Sequence, residues 1–297
     1  IPLTFISVSL SKHNPNILWI SKSKVLASLV CSNPKLASIL TQFKIMFYSV
    51  DCKNYETMHE LFSGLGDIAG VIHFAAFKSV GESVAAPLKY YNNNIISLAT
   101  ILQLVADFEI PKLVFSWSCT VYGQADQLPV TELTPIKAAE SPYGYTKQVG
   151  EQMINDTLKE GAVILRYFNP IGAHPSGLIG ELPLGKPENL VPYITQTAIG
   201  IREQLQIFGD DYKTLDGTCL RDYIHVVDLA KAHVKALQYL DENKATGTFN
   251  IGTGKGNSVL EMVKTFEEVN NIRLNYKIVL RREGDIEQIY ADTTKAN

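Results

Sequence analysis

Short apolar runs alternate with helix-length stretches through the middle of this chain, and that alternation leaves few architectures open. Val71-Ile72-His73-Phe74-Ala75, Lys112-Leu113-Val114-Phe115-Ser116 and Ala162-Val163-Ile164-Leu165-Arg166 each read as a buried strand. A helical stretch from about Leu88 to Phe108 separates the first two, and one from Tyr143 to Lys159 the last two. Strands interleaved with helices build a parallel sheet covered on both faces. The expected fold class is α/β, a doubly wound parallel sheet. Ligands of such sheets bind beyond the carboxyl ends of the strands.

Past Phe168 the texture changes. Residues 170–192 are rich in Gly and Pro and read as a long ordered loop region. Asp228 to Leu240 carries Leu229, Val234, Leu237 and Leu240 at helical spacing, and Thr248-Phe249-Asn250-Ile251 reads as a short strand. Gly252, Gly254 and Gly256 follow it. Their spacing fits no standard phosphate loop, so they read as a strand-to-helix turn. Ser258 and Glu261 match a capping box that opens the next helix.

Composition narrows the function class. The 297 residues carry a net charge of −3, so no basic field attracts nucleic acid. No apolar run reaches the roughly 18 residues of a membrane span. Cys31, Cys52, Cys119 and Cys219 are spaced for neither zinc nor a redox pair and read as reduced thiols of a cytosolic protein. Ile1 to Leu10 is apolar but lacks a basic flank and a cleavage site, so it is not read as a signal peptide. With no Met at position 1, the sequence reads as a fragment or a processed chain.

A nucleotide-binding sheet of this kind usually opens with a strand and a glycine-rich turn, where the backbone approaches a pyrophosphate at a helix N-terminus. Residues 1–63 contain no glycine. Gly64-Leu65-Gly66-Asp67-Ile68-Ala69 fits G-x-G-x-x-A in letters, but it precedes a strand instead of following one and is rejected. Two readings stand: residues 1 to about 40 replace the first β-α unit, or the chain has lost dinucleotide binding.

The chemistry-bearing set lies further on. Ser118 ends a strand, and Tyr143 and Lys147 follow at i, i+4 on one face of a helix. Oxidation of an alcohol by hydride transfer needs a base for the hydroxyl proton. A free phenol titrates near 10. The Lys147 ammonium is expected to lower that value, and Ser118 to orient the same hydroxyl.

Longer motifs surround that set. They are His73-Phe74-Ala75-Ala76-Phe77-Lys78-Ser79-Val80-Gly81-Glu82-Ser83, Tyr90-Tyr91-Asn92-Asn93-Asn94, Arg166-Tyr167-Phe168-Asn169-Pro170-Ile171-Gly172, Asn189-Leu190-Val191-Pro192-Tyr193, Ile207-Phe208-Gly209-Asp210-Asp211-Tyr212 and Arg221-Asp222-Tyr223-Ile224-His225-Val226. From about Phe47 to Asn297 the chain resembles the UDP-galactose 4-epimerases, extended short-chain dehydrogenases/reductases, in wording most like fungal members. The resemblance implies a Rossmann-like domain over 1–167, atypical at its start. It implies a smaller sugar-nucleotide domain over 168–297, with about 220–250 returning to the first. It also implies NAD as cofactor, a UDP-sugar substrate inverted at C4 and a homodimer built on the helices at Leu88–Phe108 and Tyr143–Lys159.

Residue by residue, the resemblance makes Tyr143 the acid/base, Ser118 its partner, and Lys147 the ligand of the nicotinamide ribose. Asp51 and Cys52 meet the adenine. Phe74, Ala75, Ala76, Phe77, Lys78 and Asn93 line the dinucleotide, with Phe168 near the nicotinamide. Asn169, Asn189, Leu190, Gln206, Ile207, Phe208, Arg221, Arg282 and Asp285 hold the UDP-sugar, alongside Ser118 and Tyr143. Guanidinium forks suit a diphosphate, although each arginine taken singly also fits a solvated surface. Trp117 and Cys119 replace the family's usual Ser and Ala, while Tyr145 and Thr146 occupy variable positions. Ile289 stands where the family limits space beside the sugar's 2-substituent, so N-acetylated sugars are an open possibility. A dehydratase would need an Asp-Glu pair where Cys119-Thr120 stands. The remaining alternative is a non-catalytic protein that binds UDP-sugar.

Overall fold

The computed structural model describes residues 16–20, 25–30, 46–177, 180–181, 183, 186–282 and 284–297. Its centre is a seven-stranded sheet. In chain order the strands are β1 (Asn16–Ile20), β2 (Val25–Val30), β3 (Met46–Ser49), β4 (Gly70–His73), β5 (Leu113–Ser118), β6 (Ala162–Tyr167) and, much later, β11 (Gly247–Ile251). Across the sheet they run β11-β6-β5-β4-β2-β1-β3. β2, β4, β5, β6 and β11 are parallel, whereas β1 is antiparallel to both β2 and β3. Only residues 21–24 separate β1 from β2, too few for the crossover that a parallel pair needs. The sheet is thus parallel as expected except for one inverted strand, and that strand falls in the glycine-free region. Cys31 and the proposed limit near residue 40 lie outside the described residues.

Strand alternation fills two cores. On β5, Leu113, Phe115 and Trp117 face one cluster and Val114 the other. The first cluster is closed by α1 (Tyr55–Leu65), α4 (Ile96–Asp107) and α5 (Pro142–Thr157). The second is closed by α7 (Val226–Asn243), through Leu229, Ala236, Leu237 and Leu240. Each of these three buried leucines contributes about 1.5–3 kcal/mol.

Local chemistry sets the helix ends. Asn54 caps α1 by accepting from Thr57 N, and Gly66 ends it at φ 68°. The Gly64–Gly66 pair is therefore a helix terminus. Ser141 accepts from Gly144 N, and Pro142 opens α5 with its φ preset. Inside α5, a Cβ on Gly150 would stand 3.0 Å from Leu98 and 3.1 Å from Phe115. That close approach seats the helix directly on α4 and β5.

The helical stretch expected at Leu88–Phe108 is present as α3 (Pro87–Tyr90), a π-turn (Tyr91–Ile95) and α4; α2 (Val80–Ala85) precedes it. The stretch read as a loop contains β7 (Asn169–Ile171), which pairs with β10 (Tyr223–His225). The smaller lobe adds β8 (Leu205–Phe208), β9 (Leu220–Arg221), β12 (Asn257–Ser258), β13 (Tyr276–Val279) and β14 (Gln288–Ile289), with α6 (Leu190–Ala198) and α8 (Val259–Asn270). α8 opens on the expected capping box of Ser258 and Glu261.

Candidate active site

Tyr143 and Lys147 stand one turn apart on α5 and are both buried. Ser118 closes β5 above them. Its oxygen accepts from Thr120 N (3.3 Å) and Thr120 Oγ1 (3.1 Å). The Ser118 hydroxyl hydrogen is therefore left for the phenol of Tyr143, whose ionised form Ser118 favours. Thr120 orients the whole arrangement, a role that the spacing of residues did not reveal.

The electrostatics depart from expectation. Tyr143 is pushed up to about 12, first by burial; Ser118 pulls it down and Cys119 pushes it further up. The Lys147 ammonium does not lower the phenol below its ordinary value. It donates to Ser116 O at 3.0 Å, lies 5.1 Å from the Phe115 ring centre and 5.9 Å from that of Tyr143, and is itself lowered to about 8 by burial. Desolvation is the leading cause at both groups.

The π-turn brings two consecutive amides inward, so Asn93 and Asn94 are both buried. Asn94 accepts from Phe77 N (2.8 Å) and Asn93 Nδ2 (3.0 Å), and donates to Phe77 O (3.0 Å) and Thr146 Oγ1 (3.1 Å). Thr146 in turn donates to Tyr143 O at 2.7 Å. This chain fastens the Phe74–Lys78 loop to the helix of Tyr143. Thr146, read from sequence as a variable position, is part of it.

On the other face, His233 Nδ1 meets Leu229 O at 2.8 Å. A carbonyl cannot donate, so Nδ1 carries the hydrogen and Nε2 accepts from Tyr167 OH at 2.7 Å. Phe74 packs on the His233 ring at 4.8 Å. His233 is held down to about 4 and His73 to about 3, both chiefly by burial. Each is neutral in the folded chain and titrates near 6.5 when unfolded. Below that value the unfolded state binds more protons, so stability present above pH 6.5 is lost as pH falls towards 4. The expected slope is about 1.4 kcal/mol per pH unit for each imidazole. Thermal melting between pH 6.5 and 5 should show it, and His233→Phe should flatten the curve relative to the parent. An unchanged slope would rule out this account.

The expected sugar-nucleotide residues lie in the second lobe and at its border, and the expected adenine and dinucleotide residues follow β3 and β4 of the large sheet. Arg221 Nη2 lies 3.9 Å, and Arg282 Nη2 2.7 Å, from Asp285 Oδ1, so two guanidiniums converge on one carboxylate. Arg282 also lies 5.5 Å from the Phe208 ring centre. On β8 the alternation turns Ile207 into the core with Ile194 and Val263, away from Gln206 and Phe208. Leu190 opens α6, and Asn189 before it turns its side chain to Glu181, donating at 2.9 Å. Asn169 N donates to Asp222 O at 2.9 Å, and Phe168 is buried with its N–H on Ile251 O. Asp51 accepts from Lys53 N (3.0 Å). The Cys52 side chain is wholly buried, its thiol pushed up to about 12. Ala75 is buried, Ala76 and Phe77 are half-buried, and Lys78 is exposed. Ile289 is packed into the core. Cys119, next to Ser118, is buried, and burial pushes its thiol up to about 12.

Asp222 is fully buried and was not singled out in the sequence. Its carboxylate accepts from Thr253 N (2.8 Å), Thr253 Oγ1 (2.6 Å), Gly254 N (3.0 Å) and Ala291 N (3.2 Å). The glycine loop therefore cradles a protein carboxylate, in keeping with its reading as a turn. A Cβ on Gly252 would lie 2.4 Å from Asp222 Oδ2.

These residues fit one end of a dinucleotide better than the other. The Lys147 ammonium has three donors and one hydrogen-bonded acceptor among the described residues, Ser116 O, so donors remain for ribose hydroxyls. The pyrophosphate end lacks its usual support, because residues 1–63 offer no glycine.

The sequence profile of the NAD dependent epimerase/dehydratase family matches residues 12–252. The chain is 49% identical over 275 residues to a UDP-glucose 4-epimerase of Dictyostelium discoideum, covering 89% of this chain and 79% of that protein. It is 48% identical over 261 residues to the Bacillus subtilis UDP-glucose 4-epimerase, covering 86% and 76%. Among solved structures, the Stenotrophomonas maltophila UDP-glucose 4-epimerase with bound NAD and formylated UDP-arabinopyranose aligns with TM-score 0.81 at 47% identity, over 84% of this chain and 75% of that one. The Bifidobacterium longum enzyme in complex with NAD+ and UDP aligns with TM-score 0.79 at 45% identity, over the same shares. This chain belongs to the NAD dependent epimerase/dehydratase family, and these UDP-glucose 4-epimerases are close relatives within it. Among the described residues no helix is long and apolar enough to cross a membrane.

Proposed function

We propose that the chain catalyses NAD-dependent, reversible inversion of UDP-glucose and UDP-galactose at C4. The observation that carries this reading is the buried Ser118–Tyr143–Lys147 set beside two arginines converging on Asp285, in a chain nearly half identical to enzymes of that name. Bound NAD supplies a hydride acceptor and, when oxidised, a positive charge that favours the phenolate of Tyr143. Tyr143 takes the proton from the C4 hydroxyl as the 4-keto sugar forms, and returns it after the sugar has turned over. Ser118, pre-aimed by Thr120, donates to the reacting oxygens. Lys147 holds the nicotinamide ribose. Asn93 and the Phe74–Lys78 loop, held by Asn94, line the dinucleotide, with Phe168 at its reactive end. Arg221 and Arg282 hold the diphosphate, and Phe208, Gln206, Asn189 and Leu190 the nucleoside side. This leaves the sugar lightly held, as inversion through a free-turning ketone requires.

A catalytically silent UDP-sugar binder is the second reading, favoured by the lack of glycine in residues 1–63. One experiment separates the two. Nucleotide released from the purified chain is quantified while UDP-galactose turnover is followed. Near-stoichiometric NAD with turnover supports the epimerase; a folded chain that binds UDP-sugar, releases no NAD and turns nothing over supports the binder. We also infer a cytosolic homodimer. The described cysteines 52, 119 and 219 are unpaired, and Ile96 and Tyr145 are exposed on α4 and α5. Light scattering on the purified chain gives the mass that decides the assembly.

A further inference from the structure

Tyr143, Lys147 and Glu151 succeed one another at intervals of four on α5, so the base, the ammonium and a carboxylate share one face of the helix. Glu151 is bound to Arg166, which is 3% exposed on β6. Arg166 Nη2 donates to Glu151 Oε1 (2.7 Å) and Oε2 (3.0 Å), and Nε to Oε2 (3.3 Å). Nη1 donates to Tyr122 OH (2.7 Å) and Glu132 O (3.3 Å). A guanidinium has five N–H donors, and this one makes five contacts. Tyr122 ends the 3₁₀ turn Cys119–Tyr122 that begins directly after Ser118, and its hydroxyl passes its hydrogen on to Asn250 Oδ1 (2.6 Å). In the sheet, Arg166 is the cross-strand partner of Trp117, next to Ser118. One guanidinium thus grips both the helix of Tyr143 and the turn leaving Ser118.

We propose that Arg166 is a positioning residue for the reaction, setting through Glu151 and Tyr122 the separation between Tyr143 and Ser118. The proposal rests on the epimerase reading for its kinetic consequence but not for its geometry. Lysine cannot replace it. An ammonium has no planar fork and cannot pair with a carboxylate on one side while holding a phenol on the other. If the grip loosens, Ser118 no longer supports the phenolate of Tyr143, and the base form appears at higher pH.

The test uses Arg166→Lys and Glu151→Gln in the cofactor-loaded protein, assayed well below their melting temperatures. Arg166→Lys should lower kcat about 10–100-fold, the scale of a small misplacement of reacting groups. KM for UDP-galactose should stay within about twofold, since no nucleotide contact is removed. The acid limb of the kcat profile should move to higher pH, and a crystal structure should show Ser118 Oγ and Tyr143 Oη farther apart than in the parent. Glu151→Gln should do the same more weakly, and serves alone if Arg166→Lys does not fold. A pH profile superimposable on the parent's, or an unchanged Ser118–Tyr143 separation, overturns the proposal. A parent chain without turnover whose variants still open that separation would defeat the epimerase reading and leave the positioning role standing.

Discussion

Tyr143→Phe should lower kcat for UDP-galactose by about 10²–10⁴-fold, the range that a positioned acid/base contributes. KM should barely change, because the ring stays in place and none of the expected diphosphate contacts is touched. The loss is large because no other described group stands ready as a substitute. Lys147 is a buried ammonium turned to Ser116 O, Ser118 is held by Thr120, and burial leaves His73 and His233 weak bases at about 3 and about 4, the latter also closed by Leu229 and Tyr167. Melting should move little, since what disappears is one buried hydroxyl whose partner can turn towards the cleft. Steady-state turnover with a coupled assay reads the outcome. A variant that keeps more than about a tenth of the parent's kcat would place the base elsewhere.

Asp222→Ala should be the most damaging single change to the fold around the site. Four donors converge on that carboxylate, from residues 31, 32 and 69 positions away in the chain. Each hydrogen bond to a buried charge is worth about 1.5–3 kcal/mol, and some of the orphaned N–H groups will find water. A net loss of about 3–5 kcal/mol follows, or a fall in melting temperature on the order of 10 °C. Because Arg221 precedes Asp222, and Ala291 is two residues from β14, KM for the UDP-sugar should rise as well. Asp222→Asn should fall between, since its amide nitrogen turns a donor towards other donors. Melting curves with and without UDP decide the matter. A variant that melts like the parent would show that water replaces the carboxylate without cost.

The contrast between these two residues shows what the sequence carried. Tyr143 and Lys147 were legible because their relation is local: four residues on one helix, with a hydroxyl at a strand end before them. The strands at Val71, Leu113 and Ala162 were legible for the same reason, and so was the Ser258–Glu261 cap. Asp222 and Arg166 sit inside motifs that were noticed, but their partners lie 15 to 69 residues away, and no spacing rule points to them. Asn94 was hidden by the π-turn, which breaks the periodicity that makes a helix readable. The inverted direction of β1 could not be read at all, because apolar patterning is the same in either direction. The effect of Lys147 on Tyr143 was misjudged because charge can be read from letters and desolvation cannot.

The path of the backbone also bears on how the sugar turns. The chain leaves the large sheet after β6, builds part of the smaller lobe, returns through α7 and β11 beside the strand it left, and leaves again to build the rest. These passages are pinned in two places, one by Phe168 N on Ile251 O and Asn169 N on Asp222 O, the other by the β6–β11 ladder. Mechanically this is a beam clamped at two supports, not a door on one hinge. Swinging the lobes apart would shear both seams at once. For the proposed reaction, the half-turn of the keto sugar is thus expected of the ligand and not of the lobes.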